Sequence, residues 1–331
     1  MSDVDNSGGS VGGSGDAAIA ESAKAHESLR RRAGFKKHLH QDWPGRKRTR
    51  SLELVMADDN GWMGAVSRKI PDLRDDVRDV YLRWAITINA MHVARDRYVS
   101  HPERGLETRT IRSNKEGRGG FVVLESWTAT DTARNYQLAL PILASYALSD
   151  LYGLLEELVF ELYLLYLADE PLTILKGKEF LSHRQAYRQR DDSVEAQHRW
   201  QALWSARLNT WQRNKTYDGL HKVFLAFMQN TQMKAPSLYT HTEVSDWALT
   251  IEAIGEARNL VTHGVGTVSD RLSTLSSQLK NDVFIFQAGD PLDITIAHLA
   301  FVEFFIDGLL DALTISVFER RFGNFPEPKP E

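Results

Sequence analysis

The sequence predicts a mainly α-helical fold: an antiparallel bundle with an additional N-terminal helical region and a disordered N-terminal tail. Three observations predict it. From about residue 51 to 100, and again from Val244 to Val261, apolar residues recur at steps of three and four, the period of one helix face. Two stretches, 138–168 and 294–318, are long and strongly apolar, as bundle helices are. Only 121–124 and 283–286 read as strands, and two short strands are too few to build a domain.

The elements follow in chain order. Residues 1–28 include a Gly/Ser run from Ser7 to Gly15, which cannot bury enough surface to offset chain entropy. A basic stretch follows, with Arg30, Arg31, Arg32, Lys36, Lys37, Arg46, Lys47, Arg48 and Arg50 against Asp42. It reads either as a solvated tail or as an arm that holds nucleic-acid phosphates. Residues 1–50 are therefore set apart from the folded chain.

Residues 51–135 are read as a separate helical region of unassigned role. Val77, Val80, Tyr81, Trp84, Ala85, Ile88 and Met91 form one helical stripe there. The Arg-, Gly- and Glu-rich stretch 101–120 reads as a loop, and Phe121-Val122-Val123-Leu124 as a strand. Thr128 to Asp131 offers an N-cap for the next helix, and Pro141 should kink or restart it.

The main domain is placed at 136–320. Within it, residues 172–240 are longer and more charged than a minimal bundle needs. Their aromatics, including Trp200, Trp204, Trp211, Phe224 and Phe227, fit a core better than a base-stacking platform. Val244, Trp247, Ala248, Ile251, Ile254, Ala257 and Val261 form an apolar helical stripe, with Thr240 or Thr242 as its cap. Gly264 and Gly266 can end that helix in the left-handed conformation. Residues 321–331, with Pro326, Pro328 and Pro330, form a tail.

The chemistry-bearing segment lies at the end of that helix: Arg258-Asn259-Leu260-Val261-Thr262-His263-Gly264. Arginine presents a permanent forked cation to phosphate oxygens. Histidine titrates near neutrality and can move the proton of a ribose hydroxyl. Asn259 lies four residues before His263 on the same helical face, where it can orient the ring or a phosphate. Arg258 and His263 are about 140° apart around the axis, so convergence is easier if a second chain contributes.

Arg-Asn-x3-His followed by glycine resembles the signature of HEPN domains, all-α modules of many toxin, phage-defence and RNA-targeting RNases. The residues that carry the resemblance are Arg258, Asn259 and His263, with the apolar helices before and after them. It implies a HEPN-like helical bundle over 136–320 and a metal-independent endoribonuclease. His263 would act as general acid or base in attack by a ribose 2′-hydroxyl, Arg258 would hold the scissile phosphate, and Asn259 would orient one of them. It also implies a two-fold homodimer whose motifs share one cleft, an RNA substrate, and an antitoxin or activating protein as a further partner. The alternative is a non-catalytic helical interaction or nucleotide-binding module in which Arg258 and His263 are structural.

Composition bounds these readings. The 331 residues include eight tryptophans, enough for a substantial core, and no cysteine. Disulfides, zinc–thiolate sites and cysteine nucleophiles are thereby excluded, which fits a cytoplasmic setting. A net charge of -4 does not mark the whole chain as a nucleic-acid binder, but a local basic surface suffices for one. Glu156, Glu157 and Glu161 interrupt the most apolar run, against a membrane span. His38-Leu39-His40-Gln41-Asp42 and Glu195-Ala196-Gln197-His198 each lack the further ligands a metal site needs, so no metal and no cofactor is expected.

Overall fold

The computed structural model describes residues 52, 53, 59, 61–113 and 117–324. The Gly/Ser and basic segments, His38 and His40, and the proline-rich end all lie outside the described residues. The described chain is mainly helical. It consists of α1 (Trp62–Ser100), β1 (Leu106–Ser113), β2 (Gly119–Trp127), α2 (Ala129–Asp169), α3 (Leu181–Arg188), α4 (Val194–Thr216), α5 (Leu220–Thr231), α6 (Val244–Thr262), α7 (Asp270–Gln278) and α8 (Ile296–Phe322).

The two longest helices, α1 with 39 residues and α2 with 41, pack against each other as an antiparallel pair joined by the β-hairpin. At about 1.5 Å per residue each is close to 60 Å long, longer than a small domain is wide. One half of the pair lies in the core. Val66, Ile70, Val77, Leu148, Leu151, Leu155, Leu158 and Leu162 are buried there with Leu299, Val302, Ile306, Leu310 and Leu313 of α8. The Arg74 guanidinium adds ion pairs to Asp307 and Asp311 of α8.

The other half projects as an arm, on which Ile86, Val93, Leu138, Ile142 and Tyr146 are exposed. Stacking of Tyr98 on Tyr136, at 5.9 Å between ring centroids, ties the two helices together near the arm's end. The hairpin continues from that end.

The sequence boundary at 135/136 falls inside α2, and the apolar residues of α1 belong to the same core as α2 and α8. The first half of α1, from Val66 to Ile88, therefore shares one core with α2 and α8, while the rest of 61–135 belongs to the arm and the hairpin. α2 also runs unbroken through Pro141. A proline removes only one backbone donor, and the packing of α1 along α2 holds the helix across that gap. The predicted cap is present: the Thr128 hydroxyl accepts from the Asp131 amide at 3.2 Å. By length and composition alone α2 could cross a membrane, but Leu151, Leu154, Leu155 and Leu158 are consumed in the protein core.

The strand expected at 121–124 is present within β2, whereas two other readings need revision. Residues 106–113, read as loop, form β1, paired antiparallel with β2. Segment 283–286 is not a strand; Phe284 and Phe286 turn inward against His298, and Asn281 and Ser276 side chains accept their backbone amides. The charged 172–240 stretch is helical. Trp200 stacks on Trp204 at 5.4 Å in a small satellite cluster between α3 and α4, and Trp211 packs edge-on against Tyr163 of α2.

Candidate functional site at the end of α6

α6 carries the motif. Its apolar stripe explains its place: Trp247, Ala248, Ile251, Ala253, Ile254, Gly255 and Ala257 are all buried. The cap is Glu243 rather than Thr240 or Thr242. Its side chain receives the amide of Asp246, whose own carboxylate receives the Glu243 amide at 2.9 Å. Only Gly264, of the two glycines named for the far end, is left-handed, with φ +66.

α6 runs antiparallel to α2. Gly255 and Arg258 lie at Tyr152 of α2. Trp247, earlier on α6, packs on Phe224 of α5, and Phe227 of α5 lies against Tyr163 further along α2. The C-terminal end of α6 therefore points toward the base of the arm, where Tyr146 and Ile142 are exposed.

Arg258 is half-buried. Its guanidinium carbon sits 5.3 Å from the centroid of the Tyr152 ring, a cation–π distance. Gly255, one turn earlier, makes room for that ring: a Cβ there would come within 3.2 Å of Tyr152. Arg258 Nη1 donates to Asn259 Oδ1 at 3.2 Å, while Nε is shielded from solvent with no protein acceptor among the described residues. The Arg258 backbone carbonyl receives the Thr262 hydroxyl at 2.8 Å.

Tyr152 sits in an unusual electrostatic setting. Burial, reinforced by the Glu156 carboxylate, pushes its phenol up to about 12, although Arg258 pulls the other way. The phenol is therefore neutral throughout the physiological range and serves as a polarisable face and a potential hydrogen-bond donor.

His263 is exposed at the C-cap of α6, its amide donating to the Asn259 carbonyl at 3.0 Å. The side chain of Asn259, also exposed, bonds Arg258; the contact of Asn259 with His263 is through its backbone carbonyl. The structure places all three motif residues at one helix end, with the Arg258 side chain turned to α2 and the His263 ring at the surface.

Arg95 and His101, an arginine and a histidine at similar spacing in the sequence, lie elsewhere. Arg95 is bonded to Asp96 and to Gln137 of α2, and His101 faces Glu103 at 3.3 Å. Gln137 lies about 22 Å along α2 from Tyr152 at 1.5 Å per residue.

A second polar constellation, not singled out from sequence, flanks the motif. Glu252 of α6 takes the Arg271 guanidinium at 2.8 Å and lies 3.7 Å from His221 Nε2, and Glu256 accepts the Ser269 hydroxyl at 3.1 Å. These contacts tie α5, α6 and α7 together. Burial lowers the His221 pKa despite the opposing pull of Glu252. Its members come from three separate elements, and no spacing in the sequence connects them. The same is true of Tyr152, whose partner Arg258 lies on a different helix.

Among the described residues no group of three His, Asp or Glu side chains is placed to hold a metal ion. A cavity of about 340 Å³ lies at the opposite end of α6, against Trp247, Phe301, Phe304 and Phe305, away from the motif. Compared with protein-family models, with curated proteins and with solved structures, the chain matches none.

Proposed function

We propose that the chain is a metal-independent endoribonuclease of HEPN type, working through Arg258, Asn259 and His263. One observation carries the reading. A half-buried arginine is fixed between an aromatic ring and an asparagine at a helix end whose next polar groups, Asn259 and His263, are exposed. A fixed cation costs little reorganisation when charge builds on a phosphate, which is where electrostatic catalysis acts.

In this mechanism His263 takes the proton of a ribose 2′-hydroxyl. The oxygen attacks the adjacent phosphorus, and the bond from phosphorus to the 5′-oxygen breaks. A second acid, supplied by the His263 of another copy or by water, returns a proton to the departing 5′-hydroxyl. Arg258 binds the non-bridging oxygens, and Asn259 sets the angle of its guanidinium. The working unit is a homodimer in which two α6 ends face one cleft. The exposed Tyr146 and Ile142, beside the α6 end, suit such a contact. A cytoplasmic setting, a defensive or toxic role and a controlling protein partner follow from the resemblance.

The reading is tested by incubating the purified protein with single-stranded RNA in EDTA and analysing the product ends. Cyclic 2′,3′-phosphate and 5′-hydroxyl ends are expected. Products with 5′-phosphate ends, or cleavage only with added divalent metal, would contradict it.

A second reading rests on the same contact. The seat of Arg258 on Tyr152 also suits an arginine that merely fastens α6 to α2, in a non-catalytic interaction or nucleotide-binding module. In that case Arg258→Lys would lower stability and change nothing else.

A further inference from the structure

The hairpin of β1 and β2 is a two-stranded sheet, and among the described residues most of both its faces is exposed. In β2 every residue but Trp127 is exposed, including Phe121, at 77 %, and Val122, Val123 and Leu124. A lone two-stranded hairpin is marginal in water; stability comes with a third strand or a packed face.

Its two edges differ in kind. β1 carries Glu107, Arg109 and Arg112, and charges on an edge strand block pairing with another chain. From Gly119 to Leu124 β2 carries no charge: Gly-Gly-Phe-Val-Val-Leu. Natural sheets guard their edges against unwanted strands, and here one edge is guarded and the other is not.

We infer that the free edge of β2 pairs antiparallel with β2 of a second copy of this chain, giving a four-stranded sheet in the order β1-β2-β2-β1. The occupant follows from the charges at the ends of the strand. Antiparallel self-pairing centred on Phe121 sets Arg118 of each copy opposite Leu124 of the other and diagonal to its Glu125, twice by symmetry. The bulge opposite Thr108 and Arg109 leaves Leu124 without a partner in β1, and pairing resumes at Glu125. Pairing on Phe121 sets that ring against its own copy, a favourable cross-strand aromatic pair.

This contact is distinct from the one that would face two α6 ends. Antiparallel pairing sends the two chains away from the sheet in opposite directions, so the arms diverge. A chain using both contacts assembles into tetramers or longer arrays rather than dimers alone. The inference does not depend on ribonuclease activity.

The natural absence of cysteine makes the test clean. Opposed residues in an antiparallel pair have Cα atoms about 4.5–5.5 Å apart, within disulfide range. Phe121→Cys in the full chain should therefore cross-link to its own copy under mild oxidation, at protein concentrations where random collision does not. Arg109→Cys, on the outer strand and also exposed, should not. In sedimentation, Phe121→Lys should weaken association roughly tenfold or more, because it sets two lysines face to face. Equal cross-linking at both cysteines, or unchanged association of Phe121→Lys, overturns the inference. So does a hairpin whose Arg109→Glu, Arg112→Glu variant loses RNA binding while association stays independent of Phe121, since the ribbon would then be a nucleic-acid arm.

Discussion

The Arg258 guanidinium lies over the face of Tyr152, 5.3 Å from the ring centroid, and Gly255 leaves the space that lets the ring lie there. An arginine held this way is set in position before any phosphate arrives. It is also a joint between α6 and α2, so catalysis and stability have to be separated by the choice of substitution.

Tyr152→Phe keeps the ring and should leave both stability and RNA cleavage within about twofold of the original, since the cation faces the ring rather than the hydroxyl. Tyr152→Ala removes the ring and should cost about 2 kcal/mol in denaturant unfolding and much of the activity. If Phe proves as damaging as Ala, the hydroxyl and not the face holds Arg258.

The raised phenol pKa carries a pH signature. Its folded value, about 12, lies above the ordinary 10. The folded state therefore favours the protonated form. The stability this contributes is complete below pH 10 and is lost as pH rises through the 10–12 window. Tyrosinate absorbance should show a late-titrating phenol in the original chain that is missing from Tyr152→Phe. An unchanged difference titration would place the late group elsewhere.

Arg258→Lys keeps the charge and loses the fork. Turnover should fall strongly, with a smaller loss of RNA affinity, because the arginine matters most where charge develops. Single-turnover kinetics beside equilibrium binding measures the split. Equal turnover for the two residues would favour the purely structural reading.

Gly264 holds φ +66 with open space around its Cα, so strain alone decides the effect of a side chain there. Gly264→Ala should cost about 1 kcal/mol in thermal unfolding. A neutral result would mean that the turn after His263 relaxes freely, which would loosen the histidine's place in the site.

The helical class was legible because α1, α2, α6 and α8 are long and bury most of one face, which leaves a clear period in the sequence. β1 was not. An exposed strand such as Leu106-Glu107-Thr108-Arg109-Thr110-Ile111 has no buried face and hence no apolar alternation. Segment 283–286 misled in the opposite way, because alternating Phe284 and Phe286 bury against α8 from an irregular backbone. Arg258, Asn259 and His263 could be picked out because they are neighbours in sequence. Tyr152 could not, since more than a hundred residues separate it from the arginine that lies on its ring.

If two α6 ends share one cleft, mixing should reveal it. Wild-type chains combined with His263→Ala chains should lose activity faster than the wild-type fraction falls, because mixed pairs lack one histidine. Activity strictly proportional to the wild-type fraction would show that each chain works alone.

The central claim is that His263 moves a proton in RNA cleavage. Its exposed position at the C-cap means that loss of the ring leaves the core untouched. The most direct measurement is the cleavage rate of a defined RNA in EDTA by His263→Ala, whose fold is verified by circular dichroism, beside the original chain. Cleavage by the original is expected, with a loss of roughly a hundredfold or more in the variant, the usual size of a general acid–base contribution. Equal cleavage by a folded His263→Ala, or none by either protein, would contradict it.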